Sequence, residues 1–149
     1  MDHLVMKSLR LPRQLVEEAE RRAGVLGLTF ADIVEAGLRR EVGMEPNVRT
    51  QLLKDLADLL IGLYPSRKGF PPDVTLEVIR RMRADTALMS AYDKAIRDTE
   101  GRIDEGAKAV LHRQIGQLVK RVLNARVIGR STPLDPEVEL IRTHAVLVP

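Results

Sequence analysis

The sequence predicts a mostly α-helical protein that begins with a single short β-strand. Hydrophobic residues make up 44% of the 149 residues but aromatic residues only 3%, so the core must be aliphatic. An aliphatic chain rich in arginine and glutamate favours helices. Apolar residues recur at helical spacing through most of the chain, whereas residues 4–12 alternate between apolar and polar. The length suffices for one ordinary domain or two small ones.

Composition excludes several classes of protein. The chain has no cysteine, which excludes disulfide scaffolds and thiolate metal sites and fits a reducing compartment. No apolar run approaches the roughly 20 residues that span a membrane, and the first residues carry charges too early for a signal peptide. The net charge of +3 is compatible with nucleic acid but does not require it. We therefore expect a soluble, cytoplasmic protein with no membrane partner.

Residues 4–12 form the predicted strand, which Pro12 ends because it cannot donate to a ladder. The apolar face carries Val5, Leu9 and Leu11, and the opposite face carries Met6, Ser8 and Arg10. Lys7 falls on the apolar face, near the end of the strand, where its amine can reach water. A lone strand leaves its backbone groups unpaired, so we expect this one to pair with another strand.

Two helices are predicted after the strand. The first covers residues 13–26 and ends at Gly27, a good C-terminal glycine. Thr29 then begins a second helix over residues 30–42, with Asp32 placed three residues later as in a capping box. Both helices have an apolar stripe on one side, yet some forty residues are too few to bury a core alone.

This order of elements resembles the ribbon-helix-helix family of bacterial and phage repressors. The matching stretches are Ser8 to Pro12, Gly27-Leu28-Thr29, and Asp32-Ile33-Val34 through Gly37-Leu38-Arg39. Gly37 stands where that family usually has alanine. A small residue is needed at that position because the second helices of the family cross closely at the dimer axis. The resemblance covers residues 4–43 and implies a homodimer whose two strands pair into a ribbon.

The resemblance also implies binding to double-stranded DNA, because a two-stranded ribbon fits the major groove. The side chains that would face base edges are Met6, Ser8 and Arg10. The residues that would contact phosphate are Lys7, Thr29 and Phe30, the last two at the N-terminus of the second helix. The alternative interpretation is an ordinary α+β fragment in which Arg10 is merely solvated.

The remaining residues, 46–149, predict a helical C-terminal domain joined to residues 1–45 by a short linker. Asn47 begins a helix over residues 48–63, and Asp73 begins a long helical region with a break near 85–86. The strongest helical pattern covers residues 103–125. Two short extended segments follow it, separated by a polar loop.

Residues 106–130 carry six cations and no acid. They are Lys108, Arg113, Lys120, Arg121, Arg126 and Arg130. A basic helix followed by two extended segments resembles the end of a winged-helix domain. Two interpretations stay open: a second contact with DNA, or the solvated face of an all-helical dimerisation domain.

The chain shows no catalytic or metal-binding pattern. Residues 101–108 have two glycines spaced as in a phosphate-binding loop, but Ala107 stands where lysine is required. His3, His112 and His144 lie far apart and have no cysteine partners, so neither a metal nor another cofactor is expected. Nothing in the sequence favours an enzyme.

The sequence therefore predicts a homodimeric, sequence-specific DNA-binding protein, with transcriptional repression at a palindromic or repeated operator as its leading use. A second class of function is an interaction protein. In that case residues 46–149 would bind a protein partner, as in an antitoxin or in an accessory protein of a relaxosome or of plasmid partition.

Overall fold

The structure is a computed structural model that describes residues 3–135 and 137–149. Within those ranges the chain is mostly helical, with six helices and one two-stranded sheet. The helices are α1 Arg13–Leu26, α2 Phe30–Glu41, α3 Val48–Leu63, α4 Val74–Ala84, α5 Thr86–Ala95 and α6 Glu105–Val122. The strands are β1 Arg126–Ser131 and β2 His144–Val148.

Side-chain caps set most of the helix starts. Thr29 and Asp32 form the predicted capping box at α2, and the Asn47 side chain accepts the Thr50 N–H at α3. The predicted break near residue 85 is confirmed, because the Asp85 carboxylate accepts the Leu88 N–H at 2.9 Å and starts a new helix.

Two helix starts differ from the prediction. Asp73 directly precedes α4 but makes no side-chain capping hydrogen bond, and the Val74 N–H donates to the Pro71 carbonyl oxygen at 3.0 Å. The long helix α6 begins at Glu105 rather than at 103, because the Asp104 carboxylate accepts the Ala107 N–H. Ile103 lies outside the helix and forms an isolated bridge with Arg97.

The buried apolar residues form one continuous core. Leucines of α3 occupy its centre, where α4, α5 and α6 pack around them. Ala23 and Leu26 of α1 are buried in the same core, together with Leu28. The core therefore continues across residue 45, where the sequence predicted a domain boundary.

The two extended segments after α6 pair as an antiparallel hairpin, with Arg126 opposite Val148 and Ser131 opposite His144. The hairpin packs against α4, and the Leu147 N–H donates at 2.9 Å to the carbonyl oxygen of Pro72, just before that helix. Among the residues described, no helix has the length and apolar character needed to cross a membrane.

Candidate functional site

The N-terminal segment, residues 3–12, forms neither helix nor strand within one chain, and every residue in it is exposed. Met6 is 94% exposed, and Leu9, predicted to face inward, is still 64% exposed. Among the described residues, no backbone–backbone hydrogen bond involves residues 3–11. Both the apolar side chains and the backbone groups of this segment therefore lack partners in a single chain.

Helix α2 also leaves apolar side chains uncovered. Its sequence is strongly amphipathic, yet none of its residues is buried, and Leu38 on its apolar side is 59% exposed. Ile33 is half-buried against the core of the same chain, and Val34 is half-buried as well. We define the N-terminal apolar surface as six exposed side chains: Leu9, Leu11, Leu15, Leu38, Val42 and Met44. Since an amphipathic helix is stabilised by burying its apolar face, α2 is incomplete in one chain.

Gly37 lies in the middle of α2 and faces open space. A Cβ atom built on it would meet no atom within 4 Å. One chain alone thus gives no steric reason for a glycine here, although glycine weakens a helix by roughly 1 kcal/mol relative to alanine.

The N-terminus of α2 carries two of the residues predicted to contact phosphate. The Thr29 N–H donates to the Asp32 carboxylate at 2.9 Å, so it is not free in the isolated chain as the phosphate contact would require. The Phe30 N–H has no hydrogen-bond partner among the described residues. Of the two positions, Phe30 is the one that leaves a backbone donor open at this positive helix end.

A second cationic surface lies between α6, α4 and the hairpin. We call it the basic groove, a depression of about 840 Å³. Its cationic lining side chains are Lys108, Arg113, Lys120, Arg130 and Arg142, against a single carboxylate from Glu105. Four of the six cations predicted for a second DNA contact are thus brought together.

The other two predicted cations lie elsewhere. Arg121 donates to the Gly24 carbonyl oxygen, which ties α6 to the end of α1. Arg126 donates from Nε to the Pro149 carbonyl oxygen at 3.4 Å. These two guanidinium groups have structural partners, and neither lines the basic groove.

The cations of the basic groove are not neutralised by neighbours. None of the five forms an ion pair with a carboxylate of the described residues. Arginines elsewhere do so, for example Arg80 with Glu139 at 2.9 Å and Arg97 with Asp93 at 2.9 Å. The groove is therefore an uncompensated positive site.

Two buried polar side chains line the same groove. Thr75 is 6% exposed and His144 is 5% exposed, and both line the groove. The Thr75 hydroxyl and His144 Nδ1 have no hydrogen-bond partner among the described residues. Burial lowers the pKa of His144; the charge of Asp73 opposes this shift, and those of Arg80 and Arg130 add to it, so the net effect favours the neutral ring.

His112 also lines the groove but already has a partner. Its Nε2 lies 2.6 Å from the Tyr92 hydroxyl, and the two rings stack. Burial lowers the pKa of His112 and raises the pKa of Tyr92 to about 12. In the part of the chain that the structure describes, no group of three or more His, Cys, Asp or Glu side chains is placed to hold a metal ion.

Sequence reasoning missed three residues of the groove: Thr75, Arg142 and His144. Thr75 has the pattern of an ordinary helix threonine, and His144 is a histidine without metal-ligating neighbours in the sequence. Arg142 lies at the end of the polar loop, and only the hairpin register brings this end of the loop back beside α6. Pairing the two extended segments was the one signal that could have located it.

Comparison with protein-family models, with curated proteins and with solved structures finds no match to this chain.

Proposed function

We propose that this chain is a homodimeric, sequence-specific DNA-binding protein that represses transcription from a palindromic or repeated operator. One observation carries the proposal. Among the described residues, the N-terminal segment leaves both apolar side chains and backbone groups without partners, and α2 leaves apolar side chains exposed, whereas the other helices share one buried core. A second copy of the same surface supplies both missing partners at once.

In such a dimer the two N-terminal segments pair antiparallel and turn Leu9 and Leu11 inward. The half-buried Ile33 and Val34 of each α2 complete the shared core beneath them. Gly37, which faces open space in one chain, lets the two α2 helices approach closely at the two-fold axis. The glycine then has a steric purpose that a single chain does not provide.

The opposite face of the paired segments presents Met6, Ser8 and Arg10 to the major groove. Arg10 is suited to guanine, whose O6 and N7 accept two hydrogen bonds from one guanidinium. The open Phe30 N–H at the start of α2 donates to a phosphate oxygen, and Lys7 adds a charge close to the backbone. Phosphate contacts position the ribbon, and base contacts give it sequence preference.

Two measurements on the full chain test this proposal. Sedimentation velocity over a range of concentrations should show a dimer. Selection from random DNA duplexes should enrich a site whose two halves are related by symmetry, since both copies of Arg10 read equivalent bases. A chain that stays monomeric at every concentration contradicts the dimer, and the absence of any enriched sequence contradicts specific DNA binding.

A further inference from the structure

The basic groove combines positive charge with a deficit of hydrogen-bond partners. Its five cations face one carboxylate, from Glu105, and none of them is ion-paired within the described residues. Uncompensated cations gathered in a depression attract an anion that carries several charges. A polyphosphate meets this requirement.

Thr75 and His144 add neutral groups at the inner side of the groove. Buried polar atoms normally have partners, and the Thr75 hydroxyl and His144 Nδ1 have none among the described residues. A hydroxyl and an imidazole N–H are both donors to phosphate oxygen. An oxygen-rich anion bound between α4 and β2 would therefore supply hydrogen-bond partners for both groups.

The groove is too large and too apolar for a simple inorganic anion. Its volume of about 840 Å³ falls within the range of roughly 300–1,000 Å³ typical of small-molecule sites. Ile79, Leu140 and Leu147 supply apolar lining, and guanidinium planes such as that of Arg142 stack on aromatic rings. We propose that the basic groove binds a nucleoside polyphosphate, with its phosphates on the cations and its base and sugar on the apolar lining.

Double-stranded DNA is the competing occupant of a cationic surface. A duplex is a convex rod whose phosphates reach exposed cations, but it would not reach Thr75 and His144, each less than a tenth exposed. The groove's inner polar groups and apolar lining have a use only for a small ligand. The nucleotide is therefore favoured over the duplex.

Isothermal titration calorimetry on the full chain, in buffer with a chelator, gives a direct readout that needs no DNA. The probes are adenosine triphosphate, guanosine triphosphate and inorganic pyrophosphate. We expect at least one of the two nucleoside triphosphates to bind, with one molecule bound per chain. Its binding should be at least about tenfold tighter than that of pyrophosphate, since the base and sugar add contacts. Because the experiment measures ligand binding alone, its failure leaves the DNA-binding proposal untouched.

Gly116 provides a variant that fills the groove without removing a charge. It lies on α6 among the lining residues, and a Cβ atom there meets nothing within 4 Å. Gly116→Gln should weaken nucleotide binding at least about tenfold while circular dichroism and the melting temperature show an intact fold. Gly62→Gln on α3, also open around its Cβ atom, is the matched control and should bind as wild type.

Arg130→Ala tests the charge contribution and should weaken nucleotide binding about tenfold through loss of charge-assisted hydrogen bonds. Any of three results overturns the proposal: no binding of either nucleotide, equal affinity for pyrophosphate and nucleotide, or nucleotide binding unchanged by Gly116→Gln. A Gly116→Gln chain that loses affinity for random duplex, while wild type binds no nucleotide, would assign the groove to DNA.

Discussion

Arg10 in the N-terminal segment is exposed and makes no ion pair with any residue that the structure describes. In contrast, Arg121 and Arg126 donate to backbone carbonyl oxygens and hold parts of the fold together. Replacing Arg10 therefore tests recognition, whereas replacing Arg121 would disturb the contact between α6 and α1.

Arg10→Ala should leave the melting temperature and the dimer nearly unchanged, because an exposed side chain contributes little to folding. It should cost about 1–3 kcal/mol for each lost bidentate base contact and relax the preference at the matching positions. The measurement is parallel selection from random duplexes with wild type and variant.

Arg10→Lys is the control for charge, and it should restore only part of the preference because an ammonium lacks the planar fork of donors. If Arg10→Ala enriches the same site with the same relative affinities as wild type, Arg10 does not read bases.

At the level of elements, local chemistry made most helices predictable. The ends of α1 and α3 match the predicted ones, and the Thr29 and Asn47 caps lie where the sequence placed them. The start of α6 is marked in the sequence by Asp104, a preferred N-cap residue whose carboxylate accepts the Ala107 N–H, and the predicted start at 103 was wrong because Ile103 continues the apolar spacing of the helix. The basic groove was beyond reach for a different reason: Thr75 and His144 come from distant stretches that only tertiary packing brings together.

Helix α2 is the element on which the proposed dimer depends, and Gly37 gives a selective test. Gly37→Gln should strengthen the helix of one chain by roughly 0.5 kcal/mol, since nothing surrounds the Cβ position. The same side chain would keep two α2 helices from crossing closely. We expect sedimentation velocity to show monomer for Gly37→Gln with unchanged helical content, and dimer for Gly62→Gln. A variant at Gly37 that dimerises as wild type does would rule out a close crossing there.

At the level of the whole molecule, α1 belongs to the same folded unit as the C-terminal helices, because its buried side chains lie in the same core as theirs. Leu26 is fully buried, and the Gln114 side chain donates to the Gly27 carbonyl oxygen just beyond it at 3.4 Å. A domain boundary at residue 45 would separate side chains that pack in one cluster.

Leu26→Ala should therefore destabilise the full chain by about 2–5 kcal/mol through lost burial and a cavity. Leu134→Ala, at a fully exposed leucine, should change the free energy of unfolding by less than about 0.5 kcal/mol. Urea unfolding followed by circular dichroism measures both. A small effect of Leu26→Ala would show that α1 unfolds apart from the rest.

Salt dependence distinguishes the two cationic regions. Each phosphate neutralised on duplex DNA contributes about −0.9 to the slope of log K against log salt concentration. Lys7→Ala should make the slope less steep by about that amount per lost contact, whereas Lys120→Ala in the basic groove should leave the slope unchanged. Fluorescence anisotropy with a labelled duplex at several salt concentrations measures the slope. A less steep slope for Lys120→Ala would show that the basic groove contacts DNA.

The absence of any buried residue in α2 has a consequence for the lifetime of the protein in a growing cell. If a second copy completes this helix, the folded state becomes subject to mass action, and each tenfold dilution removes about 1.4 kcal/mol per mole of dimer. When synthesis stops, growth would dilute the copies until the unpaired N-terminal segments became substrates for proteases. Copy number would then control both the occupancy of the operator and the clearance of the protein that occupies it.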